Sequence, residues 1–149
     1  MAFLLDTSIL VRLANASDLQ HTVAAEAVLE LHRRGEVLHV TSQVLIEFRN
    51  VATRSKSANG AGLSILEAEA HAVTFEANFP LLAETPAIFL AWRAIVMGLG
   101  IIGKQVHDAR LVAVCHAHAV THVLTFNRAH FARMAAFDPG IIVVDPANV

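Results

Sequence analysis

Three acidic residues stand in apolar settings where a freely solvated charge is out of place. Asp6 follows Phe3-Leu4-Leu5, Glu47 sits within Val44-Leu45-Ile46-Glu47-Phe48, and Asp108 opens Val106-His107-Asp108-Ala109-Arg110-Leu111-Val112. A carboxylate beside a core must be paired, bind a metal or become neutral. Several carboxylates without Cys-x-x-Cys or mixed His/Cys spacing suit a hard cation such as Mg²⁺ or Mn²⁺. Carboxylates and such an ion are the equipment of phosphodiester hydrolysis, in which the ion activates water and neutralises charge on the leaving oxygen. Each acid also has a plainer reading: Asp6 as a helix cap, Asp108 as a charge favourable to a helix dipole, and Glu47 as the partner of Arg54. A zinc site built from His107, His116, His118, His122 and His130 is disfavoured. His116 and His118 point to different sides of a helix, and no thiolate cluster supports them.

The elements around these acids follow from the apolar pattern. Ala2–Leu5 reads as a short buried strand, so Asp6 falls at its carboxyl end, with Thr7 and Ser8 able to cap a helix over Ser8–Leu13 or to orient Asp6. Ser17 or Asp18 can cap the next helix, whose Ala24, Ala27, Val28 and Leu31 form a buried stripe and which Gly35 stops. Val37–Val40 is a second strand. Thr41 or Ser42 caps a third helix carrying Val44, Leu45, Phe48 and Val51, with Glu47 and Arg54 on one face near its ends. Ser55–Gly62 is a polar loop. Ser64 with Glu67 is a capping box for a helix from Ile65 to Asn78, and Thr85-Pro86 opens another that runs to Met97. Val106–Ala119 is a helix with Cys115 in its buried stripe, Val123–Thr125 a third strand and Gly140–Val144 a fourth. Strand–helix alternation with short apolar strands predicts a three-layer α/β/α sandwich around a central parallel sheet, formed by residues 1–149 as one domain. In such a sheet the strand-end loops are where ligands bind.

The totals narrow the function classes. A hydrophobic fraction of 55% with 16% charged residues argues against disorder and fits a fully buried sheet or extra apolar surface for a partner. No stretch reaches the ~18 apolar residues of a membrane span, and the apolar start lacks a basic lead-in and is broken by Asp6, unlike a signal peptide. Cys115 is the single cysteine, so no internal disulfide forms and a reducing cytoplasm is the expected home. A net charge of −2 excludes a generally basic nucleic-acid binder. Between Thr85 and Phe137, however, Arg93, Lys104, Arg110, Arg128 and Arg133 face only one acid, Asp108, a local excess of +4. The apolar segment Ala87–Met97 with Trp92 reads as core, with large residues to spare for a partner.

Leu4-Leu5-Asp6-Thr7-Ser8, Ile46-Glu47-Phe48, His107-Asp108-Ala109-Arg110-Leu111-Val112 and Leu124-Thr125-Phe126-Asn127 occur in the order found in PIN-domain ribonucleases. The chain most resembles the VapC toxins of type II toxin–antitoxin modules. Asn50-Val51-Ala52-Thr53-Arg54, Asn59-Gly60, Leu63-Ser64 and Lys104-Gln105 also look like that branch, and the likeness runs from Phe3 to about Pro146. The resemblance implies a Mg²⁺- or Mn²⁺-dependent endoribonuclease acting on structured RNA, restrained by a cognate antitoxin protein and expected to form a homodimer. It implies Asp6 and Asp108 as metal ligands and Glu47 as a third catalytic acid; Thr7, Ser8 and Asn127 stand beside them as supporting candidates. Lys104 and Arg110 are candidates for RNA phosphates, and Arg54 for phosphate or the acids. Asn127 departs from many PIN domains, which have a fourth acid just after this strand; an amide can ligate through its carbonyl but adds no charge. One well-held ion is therefore expected, a second arriving with RNA. The departure also leaves open a degenerate PIN module that binds RNA or a protein without cutting. A phosphatase of the haloacid dehalogenase type needs a second Asp two residues after the first, where this chain has Ser8.

Overall fold

A computed structural model describes residues 1–137 and 139–149. Its sheet contains β1 (Ala2–Leu5), β2 (Val37–His39), β3 (His122–Leu124) and β4 (Ile142–Val144), all parallel, in the order β2-β1-β3-β4. Phe3, Leu4 and Leu5 are all buried, as are Val123 and Leu124. Successive strand residues point to opposite faces, so both faces of the sheet are covered, the middle layer of an α/β/α sandwich. The chain leaves β1 toward β2 and returns past it to β3 and β4. The order therefore reverses between β1 and β3, the switch point at which open parallel sheets form their ligand crevice.

Helices α1 (Thr7–Ala14), α2 (His21–Arg33), α3 (Ser42–Thr53), α4 (Ile65–Asn78), α5 (Pro86–Leu99), α6 (Gln105–His118) and the short α7 (Arg128–Phe131) complete the fold. α1 packs on α2 and α3, α3 on α4, α5 on α6, and α6 on α7. Within the core Phe48 meets Phe75 edge-on, with ring centroids 5.1 Å apart. Thr41 caps α3 by accepting the Val44 N–H at 3.1 Å, and both halves of the Ser64/Glu67 capping box are made.

Several expected details change. Thr7 and Ser8 lie inside α1 and do not cap it, because the N-cap position falls on Asp6, whose own side chain makes no capping bond. Neither Ser17 nor Asp18 is the N-cap of α2, which is Gln20; Asp18 instead accepts the Gln20 N–H at 2.8 Å in a turn before it. α7 was not foreseen, since a single turn is too short to show a period. α5 is less of a core helix than its composition predicts: Ile88 and Ile95 are buried, whereas Phe89, Leu90 and Met97 are exposed. Cys115 is buried in the core as expected. No described helix is long and apolar enough to cross a membrane.

The loop after α3 folds back on that helix and closes its end. Ala61 and Leu63 N–H groups donate to the Val51 and Ala52 carbonyls, and Gly62 N–H to Arg54 O. Arg54 is thereby drawn off the helix into extended backbone (φ −65°, ψ 143°), and its Nη2 donates to Asn59 O at 3.3 Å. A Cβ at Gly60 would lie 1.9 Å from Arg54 O. Only glycine fits there without moving the backbone that closes α3. Gly60→Ala is expected to destabilise the protein by about 1–3 kcal/mol, read as a lower midpoint in denaturant unfolding; an unchanged midpoint would show that the loop does not brace α3.

Candidate active site

The backbone ladder between β1 and β3 continues one residue beyond the strands, where Asp6 N–H donates to Leu124 O at 3.1 Å. Both chains then turn into helices, and their first side chains meet. Ser8 Oγ and Thr125 Oγ1 each donate to Asp6 Oδ2 at 2.7 Å. Phe126 N–H donates to Ser8 Oγ at 3.2 Å, and Asn127 N–H to Thr125 Oγ1 at 2.9 Å. Both hydroxyl protons thus go to one carboxylate oxygen, and Oδ1 is left without a protein donor among the described residues. Asp6 is 6% exposed, and this clamp replaces the water it has lost.

Glu47 reaches the same place from α3. Thr7 Oγ1 donates to its Oε2 at 2.8 Å, and Gln43 Nε2 to its Oε1 at 2.9 Å. Arg54 is bonded elsewhere, so the plainer reading of Glu47 as its partner falls away. Asp108 comes from the first turn of α6, and His130 of α7 brings Nδ1 to 3.7 Å from its Oδ2. Asp6, Thr7, Ser8, Val11, Arg12, Glu47, Val51, Asp108 and Asn127 line one hollow of about 250 Å³. Arg12, the basic residue in that lining, is committed to Ser8 O at 3.0 Å and Gln20 Oε1 at 2.6 Å, with its guanidinium 4.6 Å from the Phe126 ring centre.

The electrostatics record the crowding. Asp108 is pushed up from the usual aspartate value to about 6, first by burial. His130 and His107 pull it down, and the charges of Asp6 and Glu47 raise it further.

The structure brings together Asp6, Thr7, Ser8, Glu47, Asp108 and Asn127. It does not bring Arg54 or Lys104 into that lining; Lys104 is exposed at the N-cap of α6. Arg110 borders a neighbouring hollow that shares Glu47, and it is tied to Glu84 and Gln43. Thr125, Gln43 and His130 are the participants to which the sequence assigned no role. Thr125 lies in the quoted Leu124–Asn127 motif, the one local signal available; the other two are joined to the acids only by folding. The remaining histidines are dispersed. His118 Nε2 pairs with Ala83 O at 2.8 Å, and the His122 ring lies tilted against Phe3 with ring centres 4.6 Å apart.

The family model of the PIN domain matches residues 3–136. The chain belongs to the PIN-domain family. No curated protein sequence matches it. Among solved structures, the PIN domain described here is similar to VapBC2 from Rickettsia felis bound to a promoter DNA fragment (TM-score 0.71, 19% identity, 97% of this chain and 98% of that one). It is similar to VapBC-1 from nontypeable Haemophilus influenzae (TM-score 0.70, 17% identity, 98% of each chain). It is also similar to VapC20 from Mycobacterium tuberculosis, described as a sarcin-ricin loop cleaving toxin (TM-score 0.61, 19% identity, 87% of this chain and 93% of that one).

PIN domains imply a divalent ion, and the donor chemistry of this hollow fits one. Its acids supply oxygen only, they repel one another, and the basic side chain in the lining is occupied. Among the described residues no group of three or more His, Cys, Asp and Glu side chains is placed to hold a metal ion by itself, so the fit rests on the oxygen donors of Asp6 and Asp108.

The raised acid sets a pH dependence. Below the usual aspartate range Asp108 is protonated in both folded and unfolded chains. As pH rises through that range toward 6 the unfolded chain loses the proton first, and above 6 the folded chain carries an uncompensated charge. Metal-free Asp108→Asn protein should therefore melt at a higher temperature than the parent near pH 8, the gap narrowing as pH falls through about 6 and closing by about 4. A lower melting temperature for the variant near pH 8 would contradict the burial and neighbouring acid charge that raise Asp108.

Proposed function

We propose that this PIN domain is a Mg²⁺- or Mn²⁺-dependent endoribonuclease and the toxin of a type II toxin–antitoxin pair. The reading is carried by one observation: Asp6, Glu47 and Asp108, from three separate elements, line one hollow at the switch point of a parallel sheet. Asp6 and Asp108 would hold the ion, with Glu47 as a third acid joining directly or through water. The bound ion supplies water activation and neutralisation of charge on the leaving oxygen. The chain's own groups do the rest. Ser8 and Thr125 keep Asp6 in one rotamer, Thr7 and Gln43 hold both oxygens of Glu47, and His130 stands beside Asp108. Lys104 at the N-cap of α6 and Arg110 within it are candidate phosphate contacts beside Asp108; Arg110 is already paired with Glu84 and Gln43, and Arg54 is bonded within its own loop, so exposed Lys104 is the strongest of the three.

Similar structures include VapBC assemblies and a sarcin-ricin loop cleaving toxin, which supports structured RNA as substrate and a cognate antitoxin as partner. The exposed Phe89, Leu90 and Met97 of α5 offer apolar surface for that antitoxin and for a homodimer. A single buried cysteine and the absence of a membrane-length helix among the described residues suit a cytoplasmic protein.

Asn127 in the lining favours one second reading, a PIN module that binds RNA or protein without cutting. Purified protein free of antitoxin should cleave structured RNA in Mg²⁺ or Mn²⁺ and stop in EDTA. Asp6→Asn and Asp108→Asn should each slow cleavage by more than the ~10–100-fold typical of losing an outer-shell contact. Parental rates in both variants would overturn the mechanism. RNA binding with no EDTA-sensitive cleavage and no metal uptake would establish the binding module.

A further inference from the structure

The two acids farthest from the strand junction, Glu47 and Asp108, sit on different helices, α3 and α6. One side chain joins these helices at the hollow. Gln43, in the first turn of α3, donates through Nε2 to Glu47 Oε1 at 2.9 Å and to His107 O at 3.0 Å, while its Oε1 accepts from Arg110 Nη1 at 3.1 Å. Both amide donors are used. Its partners also fix which way the amide faces: reversed, it would turn an acceptor on a carboxylate and a donor on a guanidinium. His107 precedes Asp108 and Arg110 follows it by two, so the first turn of α6 is gripped on either side of its acid.

The grip is closed on the outside. Arg110 ion-pairs with Glu84, and Glu84 also accepts from Ser42 Oγ, the residue before Gln43. The Glu84 carboxyl is held below its usual range, first by the Ser42 hydroxyl and also by Arg110. Gln43 and Arg110 line a hollow of about 370 Å³ that shares Glu47 with the acid pocket.

The chemistry of the donor matters. A Lys or Arg bonded to Glu47 would neutralise it. A neutral amide orients the carboxylate and leaves its charge available to a cation. We propose that Gln43 is a positioning residue: it spaces α3 from α6 and sets the Glu47 carboxylate toward the hollow in which Asp6 and Asp108 would hold a divalent ion. The proposal rests on the metal-dependent reading above.

Gln43→Met keeps the length of the side chain and removes all three bonds; Gln43→Ala, a strong helix former, is the second variant. The first readout uses the metal alone: thermal stabilisation of the antitoxin-free protein titrated with Mn²⁺. The second is RNA cleavage with kcat and KM separated over a range of Mg²⁺ concentrations. The variants should fold, need about 10–100-fold more metal for half-maximal stabilisation, and lose kcat at low Mg²⁺ with KM for RNA unchanged. Parental metal titration and kcat in a folded variant would overturn the role of Gln43 alone. Failure of both variants to fold would make Gln43 a structural strut and overturn it too. A parent that neither takes up metal nor cleaves RNA would overturn this role together with the ribonuclease reading.

Discussion

The bond from Thr125 Oγ1 to Asp6 Oδ2 crosses the seam between β1 and β3 and joins residues 119 apart in sequence. Parallel strands bring their carboxyl ends to the same edge, and only at the reversal of strand order do two neighbouring ends open into a crevice. Asp6 ends one strand and Thr125 the other. Ser8, in the first turn of α1, completes the clamp from its hydroxyl. The rigid element here is the sheet, and the carboxylate inherits that rigidity through two short bonds on a single oxygen. Glu47 and Asp108 are placed by helices that must pack against this fixed point.

Charge is the second constraint. The fold gathers three carboxylates and keeps the basic group of the lining, Arg12, turned to a backbone carbonyl, a glutamine and an aromatic ring. The strain of that choice falls on Asp108, which is half-buried and drawn up to about 6. Hydrogen bonds from Ser8, Thr125, Thr7 and Gln43 orient the acids without cancelling them. A cation is the ligand that such an arrangement leaves most favoured.

Much of this was legible in the residues. Apolar runs ending in Asp6, the capping box at Ser64 and Glu67, and the buried stripe of α2 are local patterns, and the fold follows them closely. The three acids were legible because each stands where apolar neighbours demand an explanation. What local pattern could not carry was the long-range contact. Thr7 and Ser8 look like helix caps because hydroxyls at a strand-to-helix turn commonly are; their hydroxyls serve Glu47 and Asp6 because those carboxylates come within reach only in the folded chain. Gln43 bonds a residue 64 positions away, and no spacing announces it. Arg54 lost its expected partner because a glycine-tight loop ends α3 before it. Apolar composition made α5 look like core, whereas only packing decides which of its faces is covered.

The most direct measurement is anomalous diffraction from crystals of the antitoxin-free protein soaked in Mn²⁺. The expected result is a single strong peak within ligand distance of Asp6 and Asp108, about 2.0–2.2 Å from their oxygens, with the Asp6 clamp to Ser8 and Thr125 intact. An empty hollow at saturating Mn²⁺, or peaks only at surface histidines, would contradict the metal cradle on which the proposed chemistry rests.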